Sequence, residues 1–273
     1  MRVVRVSDLL MFKSCPRKYF FAAVKRKVRP DEDGSPRQIG TDVHETLALF
    51  FARRKEDRQL TWGEWYVNEC GGHPPQKREG EVSPEALQTL AGLAADDGCL
   101  GAHFPEWTVH RVEERLWAAP KRGYRLTGRI DLVVRDPQGR MIVIDHKTTK
   151  RHKAEGYWTY NEQPVAYAWL VRENYGETPS ACVINEIRVG DGDRKTAHIC
   201  IDDAHLDAFE ARLRREISFP FDRHTEWWPN MGMLCSGWCD YASPCYTMEQ
   251  GGDWETVLGL GYVDRETSEW DAE

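Results

Sequence analysis

Asp131, Asp145 and Lys147 have the residue types and spacing of a hydrolytic site. Asp131 follows Gly128-Arg129-Ile130 in one β-rich run, and the next such run ends Ile142-Val143-Ile144-Asp145-His146-Lys147. Successive strand residues alternate between faces, so Asp145 and Lys147, two apart, share one. Neighbouring antiparallel strands joined by a short turn bring Asp131 beside Asp145. Two carboxylates and an ammonium on one face are costly to bury unless a divalent cation sits between the acids. Oxygen ligands of this kind suit Mg²⁺ or Mn²⁺, and Lys147 could orient or deprotonate a water, or stabilise charge building on a phosphate. His44, in the first turns of a helix, offers an imidazole, and Glu113 and Glu114 are candidates for an accessory acid, with one of the two expected to be merely solvated. An isolated Asp-x-Lys would read as a strand end with a surface ion pair. The Ile-Val-Ile run before it predicts a buried central strand, and with Asp131 on the neighbour it argues for a site.

The eight cysteines fall into two kinds. Cys70, Cys99, Cys182 and Cys200 have no partner spacing and read as small buried or incidental residues. Cys235, Cys239 and Cys245 form a C-x3-C-x5-C cluster, and three thiols so close imply a metal or metal cluster lacking one ligand. Cys15 is the natural fourth. Four thiolates suit zinc as well as an iron-sulfur cluster. Beside Cys15 stand Lys13, Arg17, Lys18, Lys25, Arg26 and Lys27 with Tyr19, Phe20 and Phe21 between them. Such a stretch can track a nucleic-acid backbone and stack on unpaired bases, or it can pack its aromatics inward and solvate its charges.

The elements that must position these groups are legible in the periodicity. Ser7 stands as an N-cap before a helix that Cys15-Pro16 interrupts, and a second short helix follows. Residues 30–37 form a polar link, residues 38–56 a helix carrying His44, residues 70–84 a Gly/Pro-rich excursion, and residues 84–97 another helix. Runs at 108–118, 124–136 and 140–148 predict an antiparallel meander; helical spacing returns over 157–175, strands follow at 181–189 and 196–201, and an amphipathic helix covers 202–217. That order predicts an α/β fold around a mixed sheet.

With 37 Lys plus Arg against 44 Asp plus Glu, the formal charge is −7. Residues 249–273 alone hold eight acids and one Arg, so the rest is neutral, and residues 1–30 carry nine basic groups against Asp8. Such a balance argues against a protein that coats DNA indiscriminately, while the basic front leaves a local polyanion site open. No apolar run reaches the roughly 20 residues of a membrane span, and the charged start lacks the pattern of a secretory signal, so a cytoplasmic protein is expected.

GTDVHETL around His44, GRIDLVV around Asp131, IVIDHKTTK around Asp145 and Lys147, and EQPVAYAWL with Gln163 and Tyr167 occur in this order. Together they resemble the PD-(D/E)XK nuclease superfamily, and within it the RecB/AddB-type exonuclease branch that also contains the CRISPR-associated iron-sulfur exonucleases. The resemblance spans roughly residues 5–245. It implies a restriction-endonuclease-like mixed sheet flanked by helices, with His44, Asp131 and Asp145 binding Mg²⁺ or Mn²⁺ and Lys147 activating water. Gln163 and Tyr167, four apart on one helical face, would contact DNA or brace the lysine; Tyr167 reads equally as a core aromatic with Trp169 and Tyr160.

The resemblance also tips the cysteines toward a 4Fe-4S cluster held by Cys15, Cys235, Cys239 and Cys245, joining the N- and C-terminal segments across about 220 residues. The branch usually spaces its last three cysteines C-x2-C-x5-C, and this chain carries one residue more. The expected organisation is a single nuclease domain over 1–248 with an acidic, flexible tail over 249–273. The expected activity is metal-dependent exonuclease action on single-stranded or frayed DNA ends, with Lys13, Arg17, Lys18 and Tyr167 on the DNA. No G-x-x-x-x-G-K-[ST] helicase loop occurs, so a helicase, recombination or CRISPR adaptation partner would supply any unwinding. The competing readings are a non-catalytic DNA-end-binding subunit that keeps fold and cluster, and a zinc-stapled interaction protein.

Overall fold

The computed structural model describes residues 1–30, 35–73, 82–94, 106–222 and 226–265. Cys99 and Trp270 lie outside the described residues, as do parts of the 30–37 link, the 70–84 excursion, the end of the 84–97 helix and the acidic tail. The chain divides into two compact units, one of Met1–Asp31, Ala119–Thr127 and Ala211–Glu273, the other of Glu32–Ala118 and Gly128–Glu210.

The first unit opens with strand β1 (Arg2–Arg5) and helices α1 (Val6–Ser14) and α2 (Pro16–Tyr19), which continue into a single π-helical turn over Phe20–Val24 and strand β2 (Lys27–Val28). The expected break at Cys15-Pro16 is present: Cys15 is extended, with φ −159° and ψ 107°, and Pro16 occupies the first turn of α2. The expected Ser7 cap is corrected. Helix α1 starts at Val6, with Arg5 in the cap position and no side-chain cap, because β1 runs straight into it. Strand β1 is itself pinned, pairing in parallel with Tyr124–Thr127.

The second unit holds helix α3 (Pro36–Glu56), helix α4 (Pro84–Ala94) and strands β3 (Thr108–Lys121), β4 (Tyr124–Arg135) and β5 (Met141–Thr149). Beyond them come helix α5 (Glu162–Tyr175), strands β6 (Ala181–Arg188) and β7 (Arg194–Cys200), and helix α6 (Asp203–Glu216). Strands β3 and β4 extend into the first unit, as does the end of α6. Strand β3 pairs with β4, β4 runs antiparallel to β5, β5 parallel to β6, and β6 antiparallel to β7. The α/β class with a mixed sheet is thus as expected. The parallel step needs a crossover, and α5 supplies it.

Strand β5 is buried from Met141 to His146, which is why its apolar run reads as a central strand. Val43, Leu47, Phe50 and Phe51 of α3 pack with Leu132, Ile144 and Val183 of the sheet, so the apolar face of α3 fixes the helix against β4, β5 and β6. Trp62, 1% exposed, joins the same core. The helix expected from 157 begins at Glu162, since Asn161 accepts the Gln163 backbone N–H at 2.9 Å and caps it.

The first unit closes with helices α7 (Ala242–Glu249) and α8 (Trp254–Gly261) and strand β8 (Val263–Asp264), which pairs antiparallel with β2. Helix α7 crosses position 248, where a domain end was expected, and Trp254 of the acidic segment packs on Phe20 and Phe21 with ring centroids 5.7 Å away from each. Phe20 also stacks on Trp227, and Phe21 on Tyr241. Phe20 and Phe21 are buried, as the inward-packing alternative for that basic stretch had it.

Candidate active site

The site grows from three elements of the second unit. Helix α3 presents His44, β3 presents Glu113, and β4 presents Asp131; among the described residues they are the one set of three whose metal-type ligand atoms all lie within 4.8 Å of one another. His44 Nδ1 is 3.5 Å from Asp131 Oδ2. Glu113 is turned by its own backbone, with φ +50°, a conformation unusual for a non-glycine residue. Its carboxylate also meets Arg129 Nε at 2.6 Å. Glu114, the other acid weighed, faces elsewhere, accepting from Tyr175 Oη and lying 3.2 Å from Arg111 Nε.

Strand β5 contributes the second half. The β4–β5 ladder pairs Leu132 with Ile144, and Asp131 and Asp145 are the next residues of their strands beyond that pair. Lys147 Nζ stands 3.0 Å from Asp145 Oδ1 and 2.8 Å from Oδ2, so these two do share a face as the alternation demands. The His146 peptide between them donates its N–H to Asp131 Oδ2 at 2.8 Å. Asp145 is 2% exposed, and its carboxylate is compensated by the Lys147 ammonium. Asp145 does not belong to the convergent set of His44, Glu113 and Asp131.

Burial raises the carboxyls of Asp131 and Asp145 to about 6 each, although the Lys147 ammonium pulls both the other way. Burial, with Lys147 second, lowers His44 to about 4, leaving a neutral imidazole with a lone pair to offer. Burial by itself would lower Lys147, but Asp145 and Asp131 outweigh it and its net shift is upward. The lysine therefore stays an ammonium, which favours orienting a water or a phosphate oxygen over taking a proton. A cavity of about 470 Å³ is lined by His44, Glu113 and Asp131 together with Arg37, Arg129 and Thr148, while Asp145 and Lys147 are not among its lining residues. The two arginines were not singled out from the sequence.

Gln163 Nε2 donates to Tyr167 Oη at 2.8 Å, so the two meet on one face of α5. Tyr167 is buried, and a Cβ on Gly128 would come within 3.0 Å of its ring and 2.9 Å of Leu170. Gly128, just before the strand stretch that carries Asp131, is what admits the ring. Burial first, then Asp145 and Asp131, push the Tyr167 phenol upward. Trp169 is a core residue, but Tyr160, expected to join it, is 90% exposed because the chain turns through a short 3-10 segment before α5 begins.

In the first unit Cys15, Cys235, Cys239 and Cys245 line one cavity of about 330 Å³ together with Arg17 and Lys18. Four sulfur donors around one space, with no imidazole or carboxylate among its lining residues, fit a thiolate-bound metal centre. Arg17 Nη1 ion-pairs with Glu249 and lies 4.0 Å from Cys245 Sγ, and Lys13 Nζ is 2.8 Å from Glu216. Both cations thus have partners in their own unit. Cys182 is buried in β6, Cys70 packs half-buried at the edge of the second unit's core, and Cys200 is exposed.

Acids and a lysine thus stand on adjoining strands of a mixed α/β fold. The sequence pattern of the PD-(D/E)XK nuclease superfamily matches residues 5–246, and the chain belongs to that superfamily. Among solved structures it is similar to SSO0001, at 15% identity and a TM-score of 0.46, over 89% of this chain and 85% of that one. It is also similar to a candidate exonuclease from Eubacterium rectale, at 15% identity and a TM-score of 0.49, over 85% of this chain and 86% of that one. No curated protein matches it. No helix among the described residues is long and apolar enough to cross a membrane.

Proposed function

We propose that the protein is a metal-dependent DNA exonuclease of the RecB/AddB-type iron-sulfur branch, acting in the cytoplasm on single-stranded or frayed DNA ends. The observation that carries the reading is the convergence of His44, Glu113 and Asp131 in one cavity, with the Asp145–Lys147 ion pair on the strand next to that of Asp131. His44, Asp131 and Asp145 were the ligands expected for Mg²⁺ or Mn²⁺; the geometry supports Glu113 as a further one. A divalent cation there supplies Lewis-acid stabilisation to a phosphate oxygen. Lys147 orients the attacking water and places positive charge beside the phosphate as the phosphodiester bond breaks. Gln163 and the buried Tyr167 act from behind, the pair bracing β4 and the neighbourhood of the lysine.

The cysteines are read as holding a structural 4Fe-4S cluster, with Arg17 partly offsetting thiolate charge. Lys13 and Lys18 remain the DNA contacts proposed for the first unit, and a recombination, helicase or CRISPR adaptation partner would provide opened DNA. The test is digestion of 5′- and 3′-end-labelled single-stranded DNA by anaerobically purified protein with Mg²⁺ or Mn²⁺, beside Asp145→Ala. Metal-dependent cleavage absent from the variant is expected. No cleavage by cluster-loaded protein on single-stranded or duplex DNA would replace the enzyme with a DNA-end-binding subunit.

A further inference from the structure

The segment from Lys150 to Tyr160, between β5 and α5, carries chemistry that the candidate site does not use. It holds Lys150, Arg151 and Lys153 against the single acid Glu155, and the aromatics Tyr157, Trp158 and Tyr160. Tyr160 is 90% exposed and Tyr157 48%. Isolated exposed aromatics are ordinary, but two within four residues, set among cations, mark a binding surface.

An exposed connection of this length would ordinarily be loose, yet this one is tied to a buried acid. Glu186, 2% exposed, accepts the Lys153 backbone N–H at 3.0 Å and the Trp158 indole N–H at 2.9 Å, and lies 3.3 Å from His152 Nδ1. Lys195 Nζ donates to the Lys153 carbonyl at 2.8 Å, and His152 Nε2 lies 3.1 Å from Asp193 Oδ2. Glu186 is the β6 residue in register with Lys147. The segment also starts two residues past Thr148, which lines the cavity. One buried carboxylate thus ties a basic, aromatic surface to β6, the strand paired with the one that carries Asp145 and Lys147.

We propose that residues 150–160 form a guide for single-stranded DNA, an inference that rests on the nuclease reading above. Tyr160 and Tyr157 stack on unpaired bases, while Lys150, Arg151 and Lys153 contact the phosphates between them. Bases in a duplex have both faces stacked already, so this surface prefers a strand with free base faces, irrespective of sequence. Anchoring by Glu186 holds the rings in place beforehand and reduces the entropy lost on binding.

The test measures binding separately from chemistry. In EDTA, fluorescence anisotropy of a labelled oligothymidine with Tyr160→Ala is expected to show affinity about 5- to 100-fold weaker, as for loss of one stacked base. Tyr160→Phe keeps the ring and is expected to bind as wild type, and binding of a blunt duplex is expected to change little in either variant. With Mn²⁺, Tyr160→Ala should raise KM for the oligonucleotide while leaving kcat, and leave hydrolysis of thymidine 5′-(p-nitrophenyl phosphate), too short to reach the segment, unchanged. Single-stranded binding untouched in a Tyr157→Ala/Tyr160→Ala double variant, or lost equally for duplex and single strand, overturns the guide. Absence of any wild-type hydrolysis would instead strike the nuclease reading, while the anisotropy still decides the guide.

Discussion

The peptide N–H of His146 is bonded at 2.8 Å to Asp131 Oδ2, so the residue between Asp145 and Lys147 on β5 also orients the acid of β4. One strand therefore positions both carboxylates and the lysine through its own backbone. The side chain of His146 is not needed for that bond: it is buried, stacked on Phe51 at 5.6 Å, with Asn185 Nδ2 3.0 Å from its Nδ1.

Removal of the lysine amine should stop the chemistry without unfolding the strand. Lys147→Met, assayed on end-labelled single-stranded DNA with Mn²⁺, is expected to lose on the order of 10²–10⁴-fold in kcat, the range for a missing charge-stabilising or proton-positioning group. Activity within threefold of wild type would remove Lys147 from the mechanism.

The two neighbouring glutamates should separate cleanly. Glu113 lies with His44 and Asp131, whereas Glu114 is engaged by Tyr175 and Arg111. Calorimetric titration with Mn²⁺ is expected to show weakened binding for Glu113→Gln and unchanged binding for Glu114→Gln. Equal affinities would exclude Glu113 as a ligand.

Metal affinity should depend on pH in a fixed direction. A protonated carboxyl cannot ligate, and Asp131 and Asp145 are both raised to about 6, so affinity for Mn²⁺ should rise as pH increases through 6 and level off above 7. Below 6 the loss approaches about tenfold per pH unit for each acid that ligates. His44, at about 4, remains neutral across this window and adds nothing to the slope. An affinity flat from pH 5 to 8 would contradict the assigned acids.

Gly128→Ala should cost stability through packing alone. The added methyl meets Leu170 Cδ1 at 2.9 Å and Tyr167 Cε1 at 3.0 Å, tighter than carbon atoms tolerate. Overpacking of this kind costs about 1–3 kcal/mol, readable as a lower urea midpoint with unchanged slope.

The cysteines divide by what they surround. Anaerobically purified wild type is expected to be brown, Cys239→Ser to lose the visible absorbance, and exposed Cys200→Ser to keep it. A colourless wild type that binds zinc tightly would return the site to the zinc alternative.

Much of this was legible in the linear chain. The run Ile142–Ile144 specified a buried strand, period-two alternation put Asp145 and Lys147 on one face, and Pro16 marked a helix break, because each depends only on neighbours in sequence. Gln163 and Tyr167 met for the same reason, four residues being one helical turn. Glu113 could not be chosen over Glu114 from sequence, since the choice turns on a positive φ that strand periodicity does not foresee. Nor could the exposure of Tyr160 be read beforehand, because Asn161 delays α5 and leaves that ring outside the helix. The joining of the N- and C-terminal segments was expected from cysteines alone, whereas the structure joins them by packing of Phe20, Phe21, Trp227, Tyr241 and Trp254. Residue type and period determined the strands, the helices and which groups could react; the tertiary structure decided which acids converge and which aromatics face solvent, because those depend on contacts between residues far apart in the chain.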